Sequence, residues 1–332
     1  MNMKDMALTR ALPALFAALV ACVLAAAFAQ PAYADNLNRG VANGGTFTID
    51  KTYTVEGGTA PAESFELTAE LDSSSDVAVE ADKDKDLTIA AADFAALAGN
   101  GTGTFTVTLP TYEGVGQFVY KVAETDNGTA GVTYSADDLY VVVQVTNKAG
   151  DPGAGLECNV AVHKGSATGD KVSGITNAYH AGSLAVTKNV TGNMGDKNKA
   201  FDVTVTFTAP EGKTVNSIVA LPDGTTGQFS NGTLVAHISL KDGQTLTFNN
   251  LPYGVTYTVV EGDYTGEGYD AAQYENAEGT IDSAEAAATI TNNKGVEVDT
   301  GIVLNNLPFI AVFAVAAAGI AALALRKRAR QF

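Results

Sequence analysis

Residues 120–124 read Tyr-Lys-Val-Ala-Glu, and residues 257–261 read Tyr-Thr-Val-Val-Glu. In both stretches the tyrosine, the valine and the glutamate are two positions apart, which is the period of a β-strand with one buried face. Because side chains two apart share a face, Glu124 and Glu261 point to the same side as the apolar residues of their strands. Each stretch therefore predicts a strand that directs an acid at a hydrophobic core.

The two stretches belong to a longer repeat. Each copy contains a lysine, a glutamate and an asparagine that closes an Ile-Thr-Asn triplet: Lys51, Glu124 and Asn177 in the first copy, Lys188, Glu261 and Asn292 in the second. The number of residues between lysine and glutamate is the same in both copies. Two copies of one module are the simplest explanation of this repeat.

The rest of the central region also has a β pattern. Alternating stretches predict strands at residues 46–49, 105–109, 139–145 and 201–207. Asn-Gly or Asp-Gly pairs predict turns at Asn43, Asn127, Asn231 and Asp242. One helical turn is predicted at residues 90–98, where Ala and Leu are frequent. We therefore predict an all-β fold of two tandem β-sandwich domains.

Strand phase predicts a particular chemistry for the repeated polar residues. All six share a face with apolar neighbours, and burial of an unpaired charge costs several kcal/mol, so burial favours uncharged lysine and glutamate. A neutral amine is a nucleophile, and a protonated carboxyl can activate an asparagine carbonyl and move protons while ammonia leaves. The predicted outcome is a Lys–Asn isopeptide bond in each module. The alternative is a buried Lys–Glu ion pair with the asparagine as a hydrogen-bond partner.

The C-terminal end predicts membrane anchoring and processing. Its motif is Glu297, Val298, Asp299, Thr300 and Gly301, followed by an apolar run at 307–325 and then by Arg326, Lys327, Arg328 and Arg330. The apolar run is long enough to cross a bilayer, and the basic cluster is typical of a cytoplasmic stop. The arrangement resembles the sorting signal of Gram-positive wall-anchored proteins, in which a sortase cuts between Thr and Gly and joins the Thr to an amine. The alternative is a simple membrane anchor.

The N-terminal end predicts export. Lys4 and Arg10 precede an apolar stretch at 11–28, and Ala32-Tyr33-Ala34 has the small-x-small form of a signal peptidase site. We therefore predict a signal peptide at 1–34, and a secreted chain displayed at the cell surface. A lipoprotein signal with a lipid on Cys22 is the competing interpretation.

Composition and motifs exclude several classes of function. The formal net charge is −17, and both ends are basic, so the part between them is still more acidic and is unsuited to nucleic acid. We find no Ser/His/Asp set and no glycine-rich phosphate loop, and we predict no cofactor and no metal.

Asp82, Asp84 and Asp86 alternate as in a calcium loop, but the following residues do not fit, so a solvated loop is predicted. Cys158 lacks a partner for an internal disulfide in the exported part.

The modules and the sorting motif together resemble streptococcal-type backbone pilins. The first module resembles the pilin isopeptide-linkage domain, and the second resembles the collagen-adhesin B-type domain. This resemblance implies immunoglobulin-like sandwiches with bonds from Lys51 to Asn177 and from Lys188 to Asn292, assisted by Glu124 and Glu261. Asn293 is adjacent, but strand phase favours Asn292. The implied domains are a signal peptide (1–34), an N-terminal sandwich (35–181), a C-terminal sandwich (182–296) and a sorting signal (297–332).

The resemblance also implies polymerisation. In the relatives a lysine shortly before the bonding asparagine links subunits, and Lys171 is the predicted counterpart, with Lys164 and Lys148 as alternatives. The predicted function is a structural subunit of a covalent pilus, joined from Thr300 to Lys171. The predicted partners are a pilin-type sortase, identical subunits, minor pilins and peptidoglycan. A wall-anchored monomeric adhesin is the alternative, and an enzyme is not expected because no domain is left over for catalysis.

Overall fold

The computed structural model describes residues 39–148 and 153–296. These ranges contain β-strands and two short 3-10 helices, Glu80–Asp82 and Thr265–Glu267. The prediction of an all-β fold is confirmed, and each of the four predicted strands overlaps an observed one. None of the helices in this part of the chain has the length and hydropathy that crossing a membrane requires.

The strands are numbered along the chain. Those before residue 150 are β1 (Arg39–Ala42), β2 (Thr46–Glu56), β3 (Glu63–Phe65), β4 (Leu67–Leu71), β5 (Asp76–Val77), β6 (Thr88–Ala90), β7 (Ala92–Phe94), β8 (Gly101–Thr108), β9 (Gly116–Glu124), β10 (Val132–Thr133) and β11 (Leu139–Asn147). Those after it are β12 (Leu156–Lys164), β13 (Gly174–Thr191), β14 (Phe201–Thr208), β15 (Val219–Ala220), β16 (Thr226–Gly227), β17 (Thr233–Leu240), β18 (Thr245–Pro252), β19 (Thr256–Glu261), β20 (Gln273–Glu275), β21 (Glu278–Thr280) and β22 (Glu285–Asn293).

The strands form four sheets. The first has the order β1-β12-β11-β9-β4, with β5 also on β9, and a small sheet pairs β3 with β7. A third sheet has the order β17-β14-β19-β21. The largest sheet runs β16-β15-β18-β13-β2-β8-β6 and also includes β10, β20 and β22.

Strand β13 is shared by both halves of the chain. Its first part pairs in parallel with β2, and its second part pairs in parallel with β22 and antiparallel with β18. A bulge at Gly182 and Ser183 shifts the register against β18. The buried positions change there from odd-numbered to even-numbered residues. One strand therefore presents inward side chains to two different cores.

The hydrophobic residues form two large cores. One core is built from residues between Phe47 and Ala181, and the other from Ala130 together with residues between Leu184 and Ile290. Alternating burial along β2 and β14 follows the predicted period of two. The tandem sandwich arrangement inferred from the sequence stays a prediction.

The predicted helical turn at residues 90–98 is wrong. This segment contains part of β6 and the whole of β7, and Leu97 pairs with Ala60. Strand β6 pairs with β8, and β7 pairs with β3. Tertiary pairing with distant strands has overridden the local helical preference of Ala and Leu.

The predicted solvated loop around Asp82 is only partly correct. Asp84 and Asp86 are exposed, but the Asp82 side chain is buried and accepts hydrogen bonds from the backbone N–H groups of Glu113 and Gly114. The Asp82 carboxylate also pairs with Lys85 at 2.8 Å. No cluster of three or more potential metal ligands occurs in the described ranges. Asp82 thus fixes the loop before β9 from inside the fold.

This arrangement predicts different effects for neighbouring aspartates. Asp82→Ala should lower the free energy of unfolding by about 1–3 kcal/mol, because it leaves two backbone donors without their acceptor and removes one partner of Lys85. Asp84→Ala removes the same charge from an exposed position of the same loop and should have little effect. Urea unfolding of both variants would measure the difference, and equal stabilities would contradict the assigned role of Asp82.

Candidate functional site

The first predicted trio begins on adjacent parallel strands. Lys51 lies in β2, and Asn177 lies in β13. The register pairs Lys51 with Ile175 and pairs Asn177 with Tyr53. Both polar side chains are buried, as the strand phase predicted. The asparagine is therefore offset by two residues from the lysine on the neighbouring strand.

The second trio has the same register. Lys188 of β13 pairs with Ile290 of β22, and Asn292 pairs with Val190. Lys188 and Asn292 are buried. The offset of two residues, in the same direction, repeats the arrangement of the first trio. The repeat inferred from sequence spacing thus recurs in strand pairing, which spacing alone does not determine.

The glutamates reach the lysines from the opposite sheets. Glu124 ends β9, and its Oε1 lies 2.5 Å from Nζ of Lys51. Glu261 ends β19, and its Oε1 lies 3.1 Å from Nζ of Lys188. All four side chains are at most 1% exposed. Each core therefore encloses a lysine and a glutamate in contact, away from water.

The asparagines differ between the two sites. Nζ of Lys188 donates to Oδ1 of Asn292 at 2.5 Å. In the first site, neither the oxygen nor the nitrogen of the Asn177 carboxamide has a hydrogen-bond partner among the described residues. Lys51 is instead directed at Glu124. The two oxygens of Glu261 lack aligned hydrogen bonds within the same ranges, although Oε1 is within ion-pair distance of Lys188.

Burial changes the acid–base properties of both lysines. Desolvation lowers the pKa of Lys51 to about 8, against the opposite effect of the neighbouring Glu124 carboxylate. Desolvation likewise lowers the pKa of Lys188, and Glu261 opposes the shift. At both sites the lysine therefore loses its proton at a lower pH than an exposed lysine does.

Aromatic rings complete both sites. Nζ of Lys51 lies 4.1 Å from the ring centroid of Phe65, and Nζ of Lys188 lies 4.4 Å from that of Phe201. The backbone N–H of Ser135 donates to Oε2 of Glu124 at 2.7 Å. Sequence reasoning missed these neighbours. A phenylalanine follows each lysine at a similar sequence distance, and that repeat is the signal that could have identified Phe65 and Phe201.

The neighbouring asparagine in the second site faces away. Asn293 is exposed, its Nδ2 donates to Asp270, and its Oδ1 accepts from Thr191. Asn292 is the residue that contacts Lys188. Asn292 as the bonding residue stays a prediction.

The candidate linking lysine lies at the surface. Lys171 is exposed and forms an isolated bridge with His163, whose Nδ1 lies 2.7 Å from the carbonyl oxygen of Gly169. Lys164 pairs with Asp137 at 2.6 Å. The third candidate, Lys148, is also exposed. All three lysines stay candidates on this geometry.

Several predicted features lie outside the described residues. These are the signal peptide at 1–34 with Cys22, the apolar run at 307–325 and the sorting motif Glu297, Val298, Asp299, Thr300 and Gly301. Cys158 is within the described part, where it is buried with a free thiol whose pKa burial raises to about 11.

Comparison with known families gives two consecutive matches. Residues 47–180 match the family described as the Spy0128-like isopeptide containing domain. Residues 182–294 match a domain of unknown function, DUF7601. The first match contains Lys51, Glu124 and Asn177. The boundary between the matches falls within β13. The collagen-adhesin resemblance of the second module stays a prediction.

Comparison with individual proteins gives streptococcal relatives. A curated protein named pilin, from Streptococcus pyogenes serotype M1, is 28% identical over 239 residues, which are 66% of this chain and 69% of the relative. The structure of the major pilin protein T3.2 from S. pyogenes serotype GAS13637 aligns with a TM-score of 0.50 and 21% identity, over 77% of this chain and 99% of that chain. A likeness at this identity shows a shared fold. Together, these findings make this chain a relative of a streptococcal pilin, with residues 47–180 similar to the Spy0128-like isopeptide containing domain.

Proposed function

We propose that this chain is the repeating subunit of a covalently polymerised cell-surface pilus, and that a Lys–Asn isopeptide bond crosslinks each of its two modules internally. The observation that carries the proposal is the buried lysine, glutamate and asparagine trio, which occurs twice at the same strand offset. Homology to S. pyogenes major pilins supports the coarser part, a pilus structural subunit with an isopeptide domain.

The modules are proposed to be immunoglobulin-like sandwiches at residues 35–181 and 182–296. Support comes from the two hydrophobic cores and from the two sheets that face each core. In each module the lysine lies on an early strand and the asparagine lies on the last one. A bond between them would close the module at its two ends, so a force on the termini would not have to be resisted by hydrogen bonds alone.

The proposed reaction is an amide exchange. Neutral Nζ of the lysine attacks Cγ of the asparagine, a C–N bond forms, and the carbonyl oxygen becomes an oxyanion. The bond from Cγ to Nδ2 then breaks as Nδ2, which already carries two hydrogens, takes a third that comes from Nζ and leaves as ammonia. A secondary amide remains, and no oxidant or cofactor is consumed. The reaction happens once per site, so the chain is a structural protein and not an enzyme with turnover.

The glutamate has two proposed roles in this reaction. Transfer of one proton from the lysine ammonium to the carboxylate turns the ion pair into a neutral amine and a neutral acid. A low dielectric environment favours that form. The protonated glutamate then donates to the carbonyl oxygen and carries protons from Nζ to the leaving nitrogen. Contacts of 2.5 Å for Lys51 with Glu124 and 3.1 Å for Lys188 with Glu261 allow the first transfer.

The unpartnered carboxamide favours a bond over a simple ion pair in the first site. A buried polar group without a partner costs about 1–3 kcal/mol, and Asn177 has two such atoms. An ion pair between Lys51 and Glu124 leaves that cost in place. Conversion to an isopeptide removes Nδ2 as ammonia and brings the carbonyl oxygen next to the glutamate, so the cost is relieved.

Polymerisation is proposed to use a sortase. A sortase thiolate would attack the carbonyl carbon of Thr300 and release Gly301 with a new amine. Nζ of Lys171 on another subunit would then displace the thiolate and form an amide. The exported, membrane-anchored precursor would become part of a pilus, and the last subunit would be joined to peptidoglycan. Minor pilins are proposed as additional partners.

Crosslinking predicts specific losses of mass. Recombinant residues 35–300 should have an intact mass lower than the encoded mass by two ammonia molecules. Glu124→Ala and Glu261→Ala should each show a deficit of only one ammonia molecule, because one bond cannot form when the amine and the carboxamide lack their proton carrier. Glu113→Ala removes an exposed glutamate, so it should keep both losses. The full encoded mass for the unaltered chain would contradict internal crosslinking.

Polymerisation predicts a loss of covalent ladders. Lys171→Ala should reduce detergent-resistant ladders of wall extracts to a single band, while Lys164→Ala, a nearby exposed lysine, should leave them intact. Complete ladders from Lys171→Ala would refute this choice of linking lysine. A single band from the unaltered chain would favour the wall-anchored monomeric adhesin.

The lowered pKa of Lys51 predicts a pH dependence in a chain that lacks the first bond. In Asn177→Ala, the unfolded lysine binds a proton up to about pH 10.5, and the folded lysine releases it above about pH 8. Within that window the unfolded state binds more protons, so the free energy of unfolding should rise with pH. Urea unfolding would measure this slope. The same variant with Lys51→Met and Glu124→Gln should have a smaller slope, and equal slopes would contradict the assignment.

A further inference from the structure

We propose that another buried carboxylate, Glu63, holds the two cores together as one rigid unit. The interaction surface is the loop at residues 126–131, and its partner is the loop at residues 212–216 of the same chain. This inference does not rest on isopeptide bonds or on polymerisation, because Glu63 contacts neither lysine–asparagine pair in the described residues.

Glu63 is the anchor of the first loop. Its side chain is buried, and Oε1 accepts hydrogen bonds from Nδ2 of Asn127 at 2.9 Å and from the hydroxyl of Tyr134 at 2.8 Å. Oε2 accepts from the hydroxyl of Thr129 at 2.8 Å. Three donors from residues 127–134 thus converge on one carboxylate. Hydrogen bonds to a charged acceptor are stronger than those between neutral groups, so the loop is firmly positioned.

The anchored loop contacts the second half of the chain. The backbone N–H of Ala130 donates to the carbonyl oxygen of Thr214 at 2.9 Å, and the N–H of Thr214 donates to that of Gly128 at 2.8 Å. Nδ2 of Asn216 lies 3.4 Å from the Thr129 hydroxyl. Ala130 is buried within the second core, although it precedes β10 of the first half. The loop therefore links the cores by backbone bonds and by packing.

The loop at residues 126–131 leads into β10, on one edge of β13. A second set of contacts lies at the opposite edge, beside the end of β2. Strands β2 and β10 flank the first part of β13 on opposite edges. After β2, the N–H of Thr59 donates to Oδ1 of Asn250 at 2.9 Å, and Nδ2 of Asn250 donates to the carbonyl oxygen of Ile218 at 2.8 Å. At Gly57 a Cβ atom would lie 2.2 Å from the carbonyl oxygen of Ala181, so the two backbone segments are too close there for a side chain on residue 57.

The two sets of contacts oppose bending in different directions. A single strand between two cores could flex about its own axis, and inter-domain motion is the usual expectation for a small interface. Here the passage between the cores is restrained on both edges of β13. His180, at the centre of the passage, also stacks on Tyr253 with ring centroids 5.6 Å apart. The carboxylate of Glu63 fixes the loop that supplies one of these two sets of contacts.

The test measures the distance between spin labels on the two halves of the chain. Glu70→Cys and Ser239→Cys provide exposed label sites on β4 and β17. Cys158 is buried and should not react. The labelled chain, residues 35–300, should give one narrow distance distribution. Glu63→Ala should broaden it about twofold, and should speed amide hydrogen exchange of Ala130 and Thr214 about tenfold. Glu66→Ala, an exposed neighbour, should match the unaltered chain.

The outcomes separate the possibilities. A broad distribution in the unaltered chain would overturn the rigid unit, and an unchanged distribution in Glu63→Ala would overturn the role of Glu63. If Glu63→Ala does not fold, Thr129→Val decides, since it keeps the side-chain shape but removes the hydroxyl between Glu63 and Asn216. Broadening in Thr129→Val would support the proposal, and no change would overturn it. Intact mass is an independent readout for the proposed bonds.

Discussion

The structure depends on a primary amine that is enclosed in each hydrophobic core. Lys51 and Lys188 are fully buried, and burial lowers the pKa of both side chains. A buried lysine is costly unless a partner compensates for its lost hydration, and here a glutamate from the facing sheet approaches it. The surrounding strands must keep amine, acid and carboxamide together, which constrains the register of both sheets in each half.

Strand β13 connects the two sites. It contains Asn177 near one end and Lys188 near the other, so both trios share one continuous strand. The bulge at Gly182 and Ser183 changes which residues face inward. Because side chains alternate along a strand, a regular β13 would not bury both the odd-numbered set of the first half and the even-numbered set of the second. The bulge therefore lets one continuous strand contribute buried side chains to both cores.

Much of this arrangement was accessible from local patterns. Alternation identified strands and the inward phase of all six polar residues, and equal spacing identified the repeat. The helical turn at 90–98 was wrong because pairing with β3 and β8 decided its conformation. The burial of Asp82 was also missed, since its donors, Glu113 and Gly114, belong to a distant loop. The anchor at Glu63 was overlooked for the same reason.

The sequence by itself determined which side chains of the alternating strands face a core, because a period of two is a local property of an extended chain. It also determined that lysine, glutamate and asparagine recur together. Only the tertiary structure decided their contacts: Lys188 meets Asn292, whereas Lys51 meets Glu124 and leaves Asn177 without a hydrogen-bond partner in the described residues. Those contacts depend on the register and separation of strands far apart in the chain, and local alternation contains no information about either.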